Sequence, residues 1–485
     1  MDQQLKKLEY EARKLEYRAE EQSNILQKAR KYGESFIENI STLPAYVESE
    51  DMGRDIYDLP FEEHSKDMDT LLDVLKSEVD TPGLNPASGK HVGYIPGGGL
   101  YPSAIADYLA AVTNRYAGVF FSAPGAVRLE NMCIRWMNDL VGYPEGASGN
   151  LTSGGSIANL IGLVMARDNA EIQAKDFART VIYTTRQVHH CVMKAIKFAG
   201  LDDAIVHNIP MDEQFRMRVE KLEKQIKVDR NEELIPLVIF ASAGTTDLGA
   251  VDPINAIADI SEKESIWYHV DAAYGGFFLL TEHGEKKLAG IERADSITID
   301  PHKGLFLPYG SGALLVKEGE KLYKSQHMTA HYMQDAYKAT EEVSPADLSP
   351  ELSKHFRGLR MWLPLQLFGI KPFRAALKEK LLLTRYFYQE VQKISGIEVG
   401  PEPELSVMYF RYIPGEGDPD QFNKRLVDEI HRDGRVFLSS THLKERFYLR
   451  VAVLNFRTHR EEVDLILSIL REKIKKITEM GSFSE

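Results

Sequence analysis

From about residue 150, short runs rich in β-branched and aromatic residues alternate with segments of helical length. A run of four to eight such residues is typical of a buried strand, and strands alternating with helices indicate βαβ units. We therefore predict an α/β fold, with a mainly parallel sheet covered by helices on both faces and functional residues at the carboxyl ends of its strands. The predicted strands are 181–185, 204–210, 236–244, 267–273, 296–300 and 312–317.

The first 31 residues are highly charged, but small and aliphatic residues recur in them every three or four positions, which is the period of a helical seam. This spacing predicts one long amphipathic helix, either solvated along its own domain or packed on a partner subunit. Residues 35–49 predict a second helix that ends before Pro44. The seam consists of Leu5, Leu8, Ala12, Leu15 and Ala19.

The last third of the chain has the pattern of a separate unit. Apolar helical segments at 359–370 and 373–394 precede candidate strands at 407–413, 435–441 and 447–455, and a final helix is predicted from about residue 460. This order indicates a small C-terminal α+β domain. We therefore divide the chain into an N-terminal helical segment (1–90), for which packing on a partner subunit is one of the two interpretations above, a large α/β domain (91–375) and the small domain (376–485).

Composition narrows the function classes. The 485 residues include 59 Lys and Arg against 72 Asp and Glu, so the net charge of −13 disfavours nucleic acid and anionic membrane surfaces as partners. The two cysteines, Cys133 and Cys191, offer neither a disulfide framework nor a CxxC metal pattern. Because the chain also lacks a signal peptide and an apolar run long enough to span a membrane, we expect a cytoplasmic protein.

Small polar residues directly precede one predicted helix. Thr152, Ser153, Gly154, Gly155 and Ser156 stand before the helical pattern that starts near residue 157. Backbone N–H groups at a helix start that no side chain covers can bind a phosphate. The alternative for this glycine-rich segment is a plain tight turn.

A carboxylate and an amine follow two other predicted strands. Asp271 ends the strand at 267–273, and Lys303 lies 32 residues later, just past the strand at 296–300. One strand–helix–strand crossover spans such an interval, so neighbouring strand ends can present both groups to one ligand. We expect burial and nearby cations to lower the pKa of Lys303 towards that of an imine-forming lysine. The alternatives are a helix cap or salt-bridge partner for Asp271 and a solvated surface position for Lys303.

In combination these segments resemble a known family. The chain is similar, from about residue 90 to 460, to the group II pyridoxal 5'-phosphate (PLP) decarboxylases of fold type I, which act on aromatic amino acids, histidine and glutamate. The resemblance implies a PLP-dependent decarboxylase with a mainly parallel seven-stranded sheet. The segments that carry it are HVDAA (269–273), DPHK (300–303), residues 123–137, 241–253, 438–443 and 448–458.

The resemblance also implies roles for individual residues. Lys303 would form the Schiff base with PLP, and Asp271 would pair with the pyridine nitrogen, with Ala273 leaving room for the ring. His189 would stack on the ring, next to His190 where a small residue is more usual. The remaining implied ligands are Gly154, Gly155, Ser156 and His302 for the phosphate, and Thr246, alternatively a turn residue, near the ring hydroxyl.

A proton must reach the substrate carbon after carbon dioxide leaves, and in the family a loop tyrosine is the usual donor. Tyr332 matches that position, with Tyr337 as the alternative. A tyrosine there implies amine release, whereas phenylalanine in relatives accompanies aldehyde formation. The rival functions are an aldehyde synthase or aminotransferase-like enzyme of the same fold and, as a third reading, a catalytically silent scaffold.

The resemblance further implies a homodimer with active sites at the subunit interface and a small amino acid as substrate. Asp300 stands where many relatives have asparagine, so an extra carboxylate near the phosphate would weaken PLP binding unless a cation compensates. Gly304, Ile95 and Gly97 replace larger or polar residues of the aromatic amino acid decarboxylases. We expect the space so vacated to accept a bulky aromatic substrate, with acidic amino acids as the second choice.

Overall fold

The computed structural model describes residues 1–328 and 341–479, and its first helices lie outside the large sheet. Two short strands of this part, β1 and β2, pair antiparallel. Short 3-10 helices occur at Arg13–Leu15 and Arg54–Asp58, and a π-helical turn at Leu75–Asp80. The other elements, with these strands, are α1 (Asp2–Ala12), α2 (Ala19–Asn39), β1 (Tyr46–Val47), α3 (Met68–Val74) and β2 (Gly83–Leu84).

The prediction of one long N-terminal helix is wrong. α1 ends at Ala12, and the backbone is extended at Arg18, where the Glu21 carboxylate accepts a hydrogen bond from the Arg18 N–H at 2.8 Å. This capping interaction starts a new helix although the seam spacing continues across the break. The helix predicted from residue 35 does end before Pro44, but it is not a separate helix, because residues 35–39 are the end of α2.

The large domain alternates strands and helices as the sequence pattern indicates. Further 3-10 helices lie at Ala174–Arg179, Gly276–Leu280, Ile291–Arg293 and Pro345–Leu348. The main elements are α4 (Tyr101–Thr113), α5 (Pro124–Val141), β3 (Ser148–Thr152), α6 (Gly155–Asn169), β4 (Thr180–Thr184), α7 (Cys191–Phe198), β5 (Ile205–Asn208), α8 (Val219–Asn231), β6 (Ile235–Ser242), α9 (Ile254–Glu264), β7 (Trp267–Asp271), α10 (Glu282–Lys287), β8 (Ser296–Ile299), α11 (Pro301–Gly304), β9 (Gly312–Val316) and α12 (Gly319–Gln326).

Within the described chain, seven strands form the central sheet in the order β3-β9-β8-β7-β6-β4-β5. Only β9 runs antiparallel to its neighbours, which confirms the predicted mainly parallel sheet. Side chains alternate between the two faces of a strand. Val181 and Tyr183 accordingly join one apolar core, and Ile182 joins another that contains Val192 of α7, so helices cover both faces.

The C-terminal unit confirms the predicted strands and final helix and adds β10, which the sequence pattern did not indicate. Its strands form an antiparallel sheet in the order β10-β11-β13-β12. Before this unit, α13 (Arg357–Phe368) packs against α4 and α5 of the large domain. The elements that follow are α14 (Ile370–Val391), β10 (Ile397–Val399), β11 (Val407–Tyr412), α15 (Pro419–Asp433), β12 (Ser439–Leu443), β13 (Arg446–Ala452) and α16 (Arg460–Glu479).

Helix α14 connects the large domain to the C-terminal unit. Leu377 packs in the core of the large sheet, whereas Phe387 packs in the core of the small one. The predicted boundary after residue 375 falls within this helix, and the three-part division stays a prediction. Among the described helices, none combines the length and the apolar character needed to cross a membrane.

Candidate active site

A cavity of about 180 Å³ opens where β6, β7 and β8 end and α6 and α7 begin. All predicted cofactor ligands line this one cavity, as we expect of strand ends that meet at one edge of a parallel sheet. The predicted proton donors Tyr332 and Tyr337 lie outside the described residues. The predicted residues that line it are Gly154, Gly155, Ser156, His189, Thr246, Asp271, Ala273, His302 and Lys303.

The amine and the carboxylate meet because their strands are neighbours. Strands β7 and β8 pair in parallel with Asp271 opposite Thr298, and Lys303 follows on the short helix α11. The backbone N–H of Lys303 donates to the carbonyl oxygen of Asp300 at 2.9 Å, which forms a tight turn directly after β8. This local geometry turns the lysine back over the sheet edge.

Asp271 is held by two donors. Its Oδ2 accepts from Asn159 Nδ2 at 3.0 Å and its Oδ1 from the N–H of Ala273 at 3.1 Å. Sequence reasoning missed Asn159, although it lies one helical turn after Ser156 in α6. Its amide therefore orients the carboxylate from inside the protein.

Asn159 is itself oriented by a buried histidine. Its Oδ1 lies 2.7 Å from His269 Nε2 and 3.0 Å from the hydroxyl of Thr298. Burial lowers the pKa of His269 to about 4, so the ring is neutral. Because Nδ1 lies 2.8 Å from the hydroxyl of Ser296, the neutral ring accepts there and donates from Nε2 to Asn159.

Lys303 is surrounded by negative charge. Its Nζ lies 3.1 Å from Oδ2 of Asp300, and its side chain is only 17% exposed. Burial by itself lowers the pKa of Lys303, but the carboxylates of Asp300 and Asp271 outweigh burial and raise it above the usual value. The expectation that burial and nearby cations lower the pKa of Lys303 is therefore wrong for the chain without cofactor.

Two histidines border the cavity. Nδ1 of His189 accepts from the N–H of Cys191 at 3.3 Å, and the His190 ring lies 4.2 Å from that of His189. Burial lowers the pKa of His189. The ring is thus neutral, with its proton on Nε2, which suits stacking on an aromatic ligand.

The start of α6 fits an anion. Backbone N–H groups in the first turn of a helix have no acceptor within the helix. A Cβ at Gly312 would lie 2.5 Å from the Cα of Gly154, so only glycine lets β9 approach the helix start this closely. Close by, Nδ1 of His302 donates to the carbonyl of Ser311 at 2.6 Å, and burial lowers the pKa of its ring.

The loop that carries Thr246 is fixed by an arginine that sequence reasoning passed over. Arg450 of β13 donates from its guanidinium to the carbonyls of Thr246, Asp247 and Tyr94. Its side chain is buried. Arg450 thus connects two segments of the large domain to the small domain at the rim of the cavity. Its signal in the sequence was its place in 448–458, one of the segments that carry the family resemblance.

The predicted vacated space beside the lysine is absent from the described structure. A Cβ at Gly304 would lie 2.6 Å from Cβ of Phe277, so a buried phenylalanine occupies that side. A Cβ at Gly97 would lie 2.3 Å from the carbonyl oxygen of His302, and Ile95 belongs to the core. The expectation that these residues make room for a substrate is therefore wrong.

The donor set fits a ligand with a phosphate, a protonated ring nitrogen and a carbonyl carbon. The helix start could receive the phosphate, Asp271 could pair with the ring nitrogen, and the primary amine of Lys303 could bond the carbon, because all three line the same cavity.

Comparisons with known proteins agree with this set. Residues 54–413 match the family model described as the pyridoxal-dependent decarboxylase conserved domain. The aromatic-L-amino-acid decarboxylase of Bacillus atrophaeus is 36% identical over 430 residues, which cover 87% of this chain and 88% of the relative. The L-2,4-diaminobutyrate decarboxylase of Acinetobacter baumannii is 29% identical over 407 residues, 79% of each chain.

Among solved structures, Oryza sativa TDC with PLP and tryptamine superposes with a TM-score of 0.89. That likeness covers 95% of this chain and 99% of the other at 23% identity, so it concerns the fold.

Proposed function

Because this chain belongs to the pyridoxal-dependent decarboxylase family, it is a PLP-dependent amino acid decarboxylase, and we propose that its substrate is an aromatic L-amino acid. The 36% identity to an aromatic-L-amino-acid decarboxylase supports this substrate class. An aldehyde synthase or aminotransferase-like activity has less support, since the relatives described above are decarboxylases.

The observation that carries the proposal is the meeting of an amine, a carboxylate and a helix start in one cavity. Lys303 would hold PLP through Nζ at its aldehyde carbon, and Asp271 would keep a proton on the pyridine nitrogen. When bound, PLP supplies a sink for the electron pair that departing carbon dioxide leaves behind. The other lining residues that would hold PLP are Gly154, Gly155, Ser156 and His302 for the phosphate, His189 for stacking on the ring, and Ala273 and Thr246 beside the ring.

Side chains of this site also bind and transfer protons. His302 donates from Nδ1 to Ser311, and its ring is neutral in the chain without cofactor, so it takes up a proton on Nε2 to bind the phosphate. Asn159 and Ala273 hold the carboxylate of Asp271 in one orientation. Tyr332 protonates the substrate carbon, with Tyr337 as the alternative donor.

The first experiment tests Lys303. The chain loaded with PLP is reduced with borohydride, digested and analysed by mass spectrometry. We expect the adduct on Lys303 and its loss in Lys303→Ala. An adduct on another lysine would refute the site.

The second experiment tests the substrate class. Carbon dioxide and amine are measured across the common amino acids, together with ammonia, aldehyde and keto acids. We expect the highest kcat/KM for tryptophan, tyrosine or phenylalanine and one amine per carbon dioxide. A preference for acidic or diamino substrates would contradict the aromatic class, and stoichiometric aldehyde and ammonia would favour the aldehyde synthase.

The enzyme works as a homodimer. Helix α4 carries large apolar side chains that are 38–64% exposed in the single chain and recur every three or four residues, so they form one face. We expect a dimer mass in sedimentation with PLP bound. Val112→Lys on that face should weaken the dimer, whereas Val228→Lys on α8, similarly exposed, should not. The α4 face consists of Tyr101, Ile105, Tyr108, Leu109 and Val112.

The cytoplasm suits this enzyme. Cys133 and Cys191 are both free and buried, which fits a reducing compartment. Fractionation of the source cells tests this location, and recovery of the enzyme outside the cytoplasmic fraction would contradict it.

A further inference from the structure

Asp300 has no role in the function proposed above, yet it touches the reacting amine. Its carboxylate is 1% exposed, and its Oδ2 lies 3.1 Å from Nζ of Lys303. Within residues 1–328 and 341–479, its Oδ1 has no hydrogen-bond partner. A buried carboxylate costs free energy unless a cation or hydrogen bonds compensate. Lys303 is the cation in contact with it.

The backbone encloses this carboxylate on two sides. A Cβ at Gly155 would lie 3.0 Å from Oδ2 of Asp300, and one at Gly312 would lie 2.7 Å from Oδ1. Larger residues at either position would displace the carboxylate. Asp300 is thus confined between the starts of α6 and β9, where the positive end of the α6 dipole adds to the stabilisation of its charge.

We propose that Asp300 is the counter-ion that holds the amine of Lys303 as an ammonium whenever that amine is not bonded to the cofactor. This inference rests on the proposed role of Lys303. To bond an aldehyde, Nζ first releases a proton to solvent; its lone pair then forms the C–N bond, and the aldehyde oxygen leaves as water. Asp300 opposes the first step. It therefore slows capture of an aldehyde and also keeps the amine, once a substrate has displaced it, from returning.

Among the residues that the structure describes, the other groups near Nζ are neutral or lie further from it. The second carboxylate, Asp271, is engaged by Asn159 and Ala273. Burial lowers the pKa values of His189 and His302 and raises those of Cys191, to about 11, and Tyr309. These four groups are therefore uncharged near neutral pH. Asp300 is the carboxylate in direct contact, and the pKa of Lys303 lies above its usual value in spite of burial.

The test separates the amine from the phosphate site by using pyridoxal, which lacks a phosphate. Full-length chain freed of PLP is mixed with pyridoxal between pH 6 and 10, and imine formation is followed by absorbance. Asp300→Asn removes the charge at nearly constant shape. Asp229→Asn is the matched control, because Asp229 is also a buried carboxylate of the large domain but bonds Tyr183, His207 and Gln225.

We expect Asp300→Asn to capture pyridoxal at least about tenfold faster at pH 7, since each unit by which the pKa falls raises the free amine tenfold. Asp229→Asn should match the unmodified chain, and circular dichroism checks that both variants are folded. The unmodified chain alone gives a second measurement that needs no variant. Its capture rate should keep rising with pH beyond pH 9.

Three results would overturn the inference: equal pyridoxal profiles for the unmodified chain and Asp300→Asn, a rate plateau of the unmodified chain below pH 8, or a change seen with PLP and not with pyridoxal. The last would place the effect of Asp300 on the phosphate. Failure of the proposed site is distinguishable, because borohydride would then fix the label on a residue other than Lys303.

Discussion

Replacing Asn159 by alanine removes the side chain that orients Asp271 from inside the protein. Asn159 is 1% exposed, and its amide donates to Asp271 Oδ2 at 3.0 Å. Its Oδ1 accepts from His269 Nε2 at 2.7 Å and from the Thr298 hydroxyl at 3.0 Å. In the variant, the carboxylate keeps Ala273 as its donor and the Thr298 hydroxyl loses its acceptor, whereas His269 Nε2 keeps the Thr298 oxygen, 3.3 Å away.

The magnitude follows from these contacts. A hydrogen bond to a charged group contributes about 1.5–3 kcal/mol. If Asp271 must be reoriented each time it pairs with the pyridine nitrogen, a loss of that size weakens PLP binding by about 10- to 100-fold. The buried Thr298 hydroxyl, left without its acceptor, should also reduce the free energy of unfolding by about 1–3 kcal/mol.

The assay is a titration of the PLP-free chain with PLP, followed by fluorescence, beside thermal denaturation of the same samples. Asn138→Ala is the matched control, because Asn138 is also a buried asparagine and its amide makes only a 3.4 Å contact with the Ser148 carbonyl. Asn159→Ala should lose PLP affinity far more than Asn138→Ala. Equal PLP affinity in the two variants would refute the reasoning.

Three further outcomes are expected. Lys354→Met should lower the free energy of unfolding by about 3–5 kcal/mol, because it removes the cation that lies 2.8 Å from the buried carboxylate of Glu130. Adding Glu130→Leu should restore most of the lost stability in thermal denaturation. Additive losses in the double variant would contradict this prediction. Gly97→Ala should lower PLP occupancy, measured by absorbance, because its Cβ would lie 2.3 Å from the carbonyl oxygen of His302, next to Lys303. Gly125→Ala should leave the occupancy unchanged, because a Cβ there has no described atom within 4 Å. Equal PLP occupancy in the two variants would contradict this prediction. Burial lowers the pKa of His269 from 6.5 to about 4, so this histidine takes up its proton in the unfolded chain at a higher pH than in the folded one. The free energy of unfolding should therefore fall by about 3 kcal/mol from this group as the pH drops from 6.5 to 4. A melting temperature that stays constant from about pH 7 to 4.5 would contradict this prediction.

Local patterns led to most strands of both sheets, although not to β3 or β10, and to a wrong N-terminus. A buried strand is marked by its own few residues, so runs such as 296–300 could be read without knowledge of their neighbours. The helix break between α1 and α2 depends on one capping contact between Arg18 and Glu21, against a seam spacing that continues through it. The spacing of apolar residues along the chain does not predict a capping hydrogen bond.

By itself the sequence determined that Asp271 and Lys303 follow strands of one parallel sheet, because residue order and strand pattern are local properties and parallel neighbours end at the same edge. Only the tertiary structure decided the electrostatics around them. Asn159 reaches Asp271 across 112 positions of sequence, Phe277 fills the side of Gly304, and Asp300 turns towards the amine rather than away from it. A side chain's pKa and the space beside it depend on distances of a few ångströms between segments that the chain order does not relate, so they follow from packing alone.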